Sequence, residues 1–273
     1  MRMGGGRAGA RRAIACAALF LIAGCTQSPT SPSAVVPDIA VGRLPQIAAP
    51  VPPRLSYNPP RALGASRFLA FGDSITAGVQ SAFDPRFLFA AANGGYPERL
   101  QAGLDAYFDP QAFGVENWGL PGEFARQAAP RFRAALDERR PEVVLLLEGI
   151  NDLNTGSTIE QTVNALDQMV TIATSRGTPV LIATMYPTYR SEPSPDGRIR
   201  ENSHTIVPAF NEAIRRRFSG RVNVHVVDLE PQMQNRSFVG NDGLHPTDAG
   251  FERMAAVFLQ AIERAFPVRG SFQ

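Results

Sequence analysis

The sequence predicts an α/β domain, a three-layer α/β/α sandwich on a central, mostly parallel five-stranded sheet, over residues 62–273. Three observations point there. Strand-like and helix-like segments alternate through that region without an internal repeat, which implies parallel β units with helices on the sheet faces. Val143 to Leu147 is an unbroken Val/Leu run, the pattern of a strand buried on both sides. Composition is ordinary for a globular chain, 44% hydrophobic and 19% charged, and the length suffices to bury a core without disulfides or metals.

The chain begins with something other than a domain. Arg2 to Arg12 form a basic stretch, and Ala13 to Ala23 form an apolar one that is shorter than the roughly 20 residues a bilayer span needs. A basic stretch followed by a short apolar one has the shape of a secretory signal. It ends Leu21-Ile22-Ala23-Gly24-Cys25, which resembles a bacterial lipobox. The resemblance implies that residues 1–24 are a lipoprotein signal peptide and that Cys25 is lipidated. The chain is then exported and held in the cell envelope as a membrane-anchored lipoprotein. Thr26 rather than Asp follows the cysteine, which in that family points to the outer membrane where the source has one. The alternative is a simple signal peptide cut nearby.

Nine prolines stand among residues 26–61. Such a segment buries too little apolar surface to fold, and residues 25–61 read as a lipidated cysteine followed by a semi-rigid linker reaching on the order of 100 Å. Cys16 and Cys25 both sit in or beside the apolar stretch, so no structural disulfide is expected. No Cys or His cluster has zinc-ligand spacing.

The formal charge of +2 comes from the leader. Residues 1–24 hold four arginines and no acid, and without them 23 basic residues face 25 acidic ones. Nothing in that balance suggests a nucleic-acid partner.

Within the domain, Arg67 to Phe71 reads as the first strand and Gly114 to Asn117 as a weaker one. Val143 to Leu147, Val180 to Ala183 and Val222 to Val227 complete the set. Ile159, Val163, Leu166, Val170 and Ala173 recur at helical spacing until Gly177. Phe251, Met254, Phe258 and Ile262 repeat that pattern, with Pro246 suited to be the first residue of the last helix. Ligands of such sheets bind beyond the carboxyl ends of the strands, so the loops there are where chemistry is sought.

Four loops stand out. Gly72-Asp73-Ser74 follows the first strand; Gly72 permits a sharp turn, and Ser74 falls where a helix is expected to begin, so its N–H and the helix dipole favour a developing negative charge. A plain helix-capping serine is the alternative. Asn117 to Glu123 contains Pro121-Gly122, where glycine lets a backbone N–H approach a substrate, or simply makes a turn. Glu148-Gly149-Ile150-Asn151-Asp152 follows the most apolar strand. There Asn151 is able to donate to an oxyanion, or to form an Asx turn. In Asn241 to Pro246, Asp242 precedes His245 by three residues, a spacing that lets a carboxylate orient the imidazole of its own loop. A capped surface turn is the alternative. His204 and His225 have no such carboxylate.

Together, Gly-Asp-Ser, Asn-x-x-x-x-Gly, Gly-x-Asn-Asp and Asp-Gly-x-His-Pro occur in the order found in the SGNH hydrolases, also called GDSL esterases and lipases, and the sequence resembles that family over about residues 66–265. The resemblance implies a flavodoxin-like fold and a serine ester hydrolase. Its catalytic residues are Ser74 as nucleophile with Asp242 and His245, its oxyanion hole is Ser74, Gly122 and Asn151, and it needs no metal or organic cofactor. Asp73 is assigned structural support. Glu148 departs from the usual aliphatic residue, with little functional effect expected.

Substrate is less legible. Phe83 to Tyr96 carries Phe83, Phe87, Leu88 and Phe89, and reads either as an apolar acyl-binding wall or as a loop packing on its own core. Tyr186 to Thr205 reads as a mobile rim. A small acyl ester, a lysolipid or an acetylated sugar all fit as substrate. An O-acyltransferase or a carbohydrate O-deacetylase on the same site, and a non-catalytic lipoprotein binding module, are the competing functions.

Overall fold

The computed structural model describes residues 62–189 and 203–269. The expected signal peptide, the lipidated Cys25, the linker and most of the Tyr186–Thr205 rim lie outside the described residues. In chain order the elements are β1 (Ala62–Leu63), β2 (Arg67–Gly72), β3 (Val79–Ser81), β4 (Leu88–Ala90), α1 (Tyr96–Tyr107), β5 (Gly114–Gly119), α2 (Ala125–Arg139), β6 (Val143–Leu147), α3 (Ile150–Asn154), α4 (Ile159–Thr174), β7 (Val180–Ala183), α5 (Val207–Phe218), β8 (Val224–Val227), a 3-10 turn at Arg236–Phe238, α6 (Asp248–Ala265) and β9 (Val268–Arg269).

Five strands form the central sheet in the order β5-β2-β6-β7-β8, and every neighbouring pair is parallel. Counted along the chain, that is the 2-1-3-4-5 order of a flavodoxin-like sheet. Helices α1 and α6 pack together, while α2 packs on α4 and α4 on α5, giving the three-layer sandwich expected. After β2 the chain builds β5 on one side and then crosses to β6 on the other. The crevice of such a sheet opens at that reversal, above the carboxyl end of β2. Register brings three strand ends level there, with Gly72 opposite both Gly119 and Leu147.

The sequence explains most of these elements. All five residues of β6 are buried, as its unbroken apolar run demands. Helix α4 opens on a capping box, with Thr158 accepting from the Gln161 N–H and the Gln161 side chain reaching back. On the apolar seam, Tyr96 stacks on Phe258 with ring centroids 4.8 Å apart, joining α1 to α6. The edge strand β5 runs two residues past its predicted end, to Gly119.

Three expectations are corrected. The last strand starts at Val224 rather than Val222, because Asn223 adopts a left-handed φ of 61° and cannot continue a strand. Pro246 is not the first residue of α6. It bridges Val239 in an antiparallel pair, and Thr247 caps the helix by accepting from the Gly250 N–H. No helix begins at Ser74. Residues after it make one turn, closed by Ala77 N–H to the Asp73 carbonyl and Val79 N–H to the Ser74 carbonyl, and β3 follows.

Candidate active site

The four loops singled out in the sequence converge above the carboxyl ends of β2, β5 and β6. Ser74, Gly122, Asn151 and His245 all line one cavity of about 400 Å³, together with Val79, Leu88, Phe89, Ala90, Pro121 and Leu244. A larger hollow of about 700 Å³ lies at the end of α6, around Gln260 to Val268, and holds none of these loops.

Ser74 is set by the turn after β2. A Cβ on Gly72 would lie 2.2 Å from the Leu147 carbonyl oxygen, so glycine is required there by the closeness of β6 rather than by a sharp turn. Asp73 accepts the Ile75 N–H at 2.9 Å and so fastens the turn from within.

The Ser74 Oγ lies 2.9 Å from His245 Nε2, and His245 Nδ1 lies 2.5 Å from Asp242 Oδ2. With a proton on Nδ1 donated to the carboxylate, Nε2 presents a lone pair to the serine hydroxyl. The other oxygen of Asp242 accepts the N–H groups of Leu244 at 3.1 Å and His245 at 3.0 Å, so the carboxylate builds the loop that carries the histidine. Burial alone would raise the Asp242 pKa. The His245 hydrogen bond and charge, with the two backbone donors, outweigh burial and hold it below the usual aspartate value. The loop is braced by the Tyr186 hydroxyl, which donates to the Leu244 carbonyl at 2.6 Å, and by the Tyr189 N–H on the Gly243 carbonyl.

Gly122 has φ +80° and follows Pro121 in a turn closed by Glu123 N–H to the Leu120 carbonyl. Proline then a residue of positive φ is the requirement of a type II turn. Asn151 sits in the first turn of α3; its Nδ2 donates to the Glu123 carbonyl at 2.8 Å and lies 3.5 Å from Asp73 Oδ2. Asn151 is thereby tied to the residue that follows Gly122.

The sequence pattern assigns no role to Asp152 or Arg131, and to Glu148 only a departure from the motif. Asp152 is buried and accepts the Ala125 and Arg126 N–H groups at 2.7 and 3.3 Å, capping α2 from a different element. Arg131, on α2, donates to the Trp118 carbonyl and to the Glu123 carboxylate on either side of the Gly122 turn. Glu148 is buried, with Oε2 accepting the Gly149 N–H and Oε1 without a partner among the described residues. Burial first, then the Asp73, Glu123 and Asp152 charges, raises its pKa well above the usual glutamate value. Asp73 is raised to about 6, chiefly by burial. Of the other histidines, His204 has a buried Nδ1 with no partner among the described residues, and His225 lies against the Phe266 ring.

The segment Phe83 to Tyr96 does not pack on the core as one loop. Its strand β4 pairs antiparallel with β3, just before the segment, to form a hairpin. Leu88, Phe89 and Ala90 face the cavity, whereas Phe83 is 95% exposed at the tip. Among the described residues, no group of three or more His, Cys, Asp or Glu is arranged to hold a metal, and no helix is long and apolar enough to cross a membrane.

The model of the GDSL-like Lipase/Acylhydrolase family matches residues 70–253, a span that contains all four loops. The chain belongs to this family. Solved structures with the same fold include an alpha/beta hydrolase enzyme from the metagenome of Lake Arreo, Spain. It is 26% identical, covers 74% of this chain and 96% of its own, and has a TM-score of 0.56. The M. smegmatis aryl esterase is 21% identical over 73% of this chain and 99% of its own, with a TM-score of 0.58. An acetylxylan esterase from Geobacillus stearothermophilus is 20% identical over 73% and 94%, with a TM-score of 0.54. A comparison with curated proteins gives no match. This GDSL-family hydrolase thus has esterases among its structural neighbours.

Proposed function

We propose that the protein hydrolyses carboxylic esters through an acyl-enzyme on Ser74. The observation that carries this reading is the continuous chain from Ser74 Oγ through His245 to Asp242, with separations of 2.9 and 2.5 Å, at the wall of an open cavity.

His245 takes the hydroxyl proton as Ser74 attacks the ester carbonyl, and Asp242 stabilises the imidazolium that forms. The tetrahedral oxyanion is bound by the Ser74 N–H, the Gly122 N–H and the Asn151 amide. Asn151 Nδ2 carries two protons; one is engaged by the Glu123 carbonyl, and the other, which makes only a long 3.5 Å bond to Asp73 Oδ2, turns to the oxyanion. Collapse of the intermediate expels the alcohol, which takes its proton from His245. Water, activated by the same imidazole, then releases the acid. Each oxyanion donor is worth roughly 3–4 kcal/mol of transition-state stabilisation.

The cavity's apolar side chains, Val79, Leu88, Phe89 and Leu244, favour an ester with an apolar acyl group. Lipidation at Cys25 belongs to the same proposal and would hold the enzyme at a membrane in the cell envelope.

Residues 62–273 assayed on p-nitrophenyl esters of increasing chain length, beside Ser74→Ala, test the reading. Hydrolysis by the unaltered protein and none above background by the variant is expected. Equal activity in the two would overturn the assignment.

A further inference from the structure

The three proposed oxyanion donors lie on three separate loops, after β2, β5 and β6. Backbone pairing goes no further than the Leu120 N–H on the Gly72 carbonyl, so side chains hold the rest of the loops in mutual register. One guanidinium touches the ends of β2 and β5 and the Glu123 side chain of the second loop, and reaches the third loop through Glu123.

Arg131 Nη1 donates to the Trp118 carbonyl at 2.9 Å, four residues before Gly122. Nη2 lies 3.4 Å from the Gly72 carbonyl, two residues before Ser74. Nε donates to Glu123 Oε1 at 2.7 Å, and Nη2 pairs with Glu123 Oε2. The Glu123 carbonyl in turn accepts Asn151 Nδ2 at 2.8 Å. The guanidinium carbon stands 3.9 Å from the centroid of the Phe71 ring in β2, which fixes the plane of the fork. Glu123 is almost wholly buried at its carboxylate, so its partner cannot be replaced by water at no cost.

We propose that Arg131 is a positioning residue for the oxyanion hole. It clamps the Gly72 and Trp118 carbonyls and the Glu123 carboxylate together and, through Glu123, sets the direction of the Asn151 amide. The proposal rests on the reading of Ser74 as nucleophile. Arginine suits the task because its planar fork serves a carboxylate and two carbonyls at once, whereas a lysine ammonium is a single point that cannot span them. The clamp never touches substrate. Its contribution appears where charge develops on the carbonyl oxygen, as a change in kcat rather than in KM.

The test begins with Ser74→Ala, which must abolish hydrolysis; if it does not, the nucleophile assignment fails and Arg131 is not at issue. Arg131→Lys is then expected to lower kcat on the order of 10- to 100-fold while KM stays within about twofold, as misplacement of catalytic groups does. The deciding measurement is a double-mutant cycle. With Asn151→Ala already in place, Arg131→Lys should cost clearly less than its full factor, because one of the donors it positions is gone. With Asp242→Asn in place, it should cost its full factor. An equal cost in both backgrounds, or a fall in melting temperature with kcat unchanged, overturns the proposal. Should Arg131→Lys fold poorly, Arg131→Met with Glu123→Gln removes both charges together. That pair is expected to lose kcat likewise, and full kcat in it overturns the clamp.

Discussion

Asp242 accepts three hydrogen bonds within its own loop: from the Leu244 N–H, the His245 N–H and His245 Nδ1. One side chain thus shapes the turn and fixes the histidine tautomer, which is why a three-residue spacing suffices. Asp242→Asn retains an acceptor for the backbone donors but offers an amide N–H to Nδ1. The proton then moves to Nε2, and His245 loses its capacity to deprotonate Ser74. Activity should fall on the order of 10³- to 10⁴-fold near neutral pH with little change in melting temperature. Steady-state kinetics with a p-nitrophenyl ester checks this, and a loss under tenfold would exclude an orienting role for Asp242.

Asn151→Ala should separate binding from catalysis. The residue lies at the cavity wall and its amide is held by the Glu123 carbonyl, so it is aimed before substrate arrives. Removing it is expected to reduce kcat on the order of 100- to 1000-fold with KM little changed. A rise in KM at constant kcat would mean that the amide holds the ester in its ground state instead.

The sheet and the four loops were legible because each leaves a short-range mark. Val143 to Leu147 is unbroken, and Asp242 and His245 share one turn, so neither needs tertiary knowledge to be noticed. What the sequence hid depends on distant partners. Helix α2 contains Pro130, which reads as a breaker. Its N-terminus is capped by Asp152 from α3 instead of by a residue of its own. Arg131 was invisible for the same reason, since its acceptors lie at positions 72, 118 and 123. The helix expected at Ser74 failed because β3 pairs with β4 and takes up the chain after a single turn. Glycine at 72 was legible as a requirement, but its cause, the Leu147 carbonyl, was not.

The hairpin of β3 and β4 makes a substrate prediction. Phe89 lines the cavity together with Leu88, so shortening it enlarges the apolar wall. Phe89→Ala is expected to move the preferred acyl chain to greater length and to weaken kcat/KM for the original optimum roughly 10-fold or more, since each methylene in an apolar pocket is worth about 1–3 kcal/mol. Activity measured across p-nitrophenyl esters from acetate to decanoate reads the shift. An unchanged profile with uniformly lower rates would place the acyl chain elsewhere and leave the alcohol beside the hairpin.

Glu148 gives the protein a stability that depends on pH. The residue is only 4% exposed, one oxygen has no partner among the described residues, and burial with the Asp73 charge raises its pKa well above the usual value of 4.5. The folded protein therefore keeps a proton that the unfolded chain gives up. The contribution is complete below about pH 4.5 and is lost as pH rises toward the folded pKa, because the unfolded state then binds fewer protons than the native one. Glu148→Gln removes that proton without removing the side chain's volume. Melting temperatures of the two proteins should lie closest near pH 4.5, with the variant gaining on the unaltered protein by about 3–5 °C per pH unit above it. The gain should cease once the pH passes the folded pKa, where both states of the unaltered protein are ionised. Asp73, raised to about 6, titrates in the same range and interacts with Glu148, so the difference between the two proteins reads the proton that the pair retains. Parallel melting curves from pH 5 to pH 8 would show that Glu148 carries no extra proton in the fold, and that its unpartnered oxygen is charged.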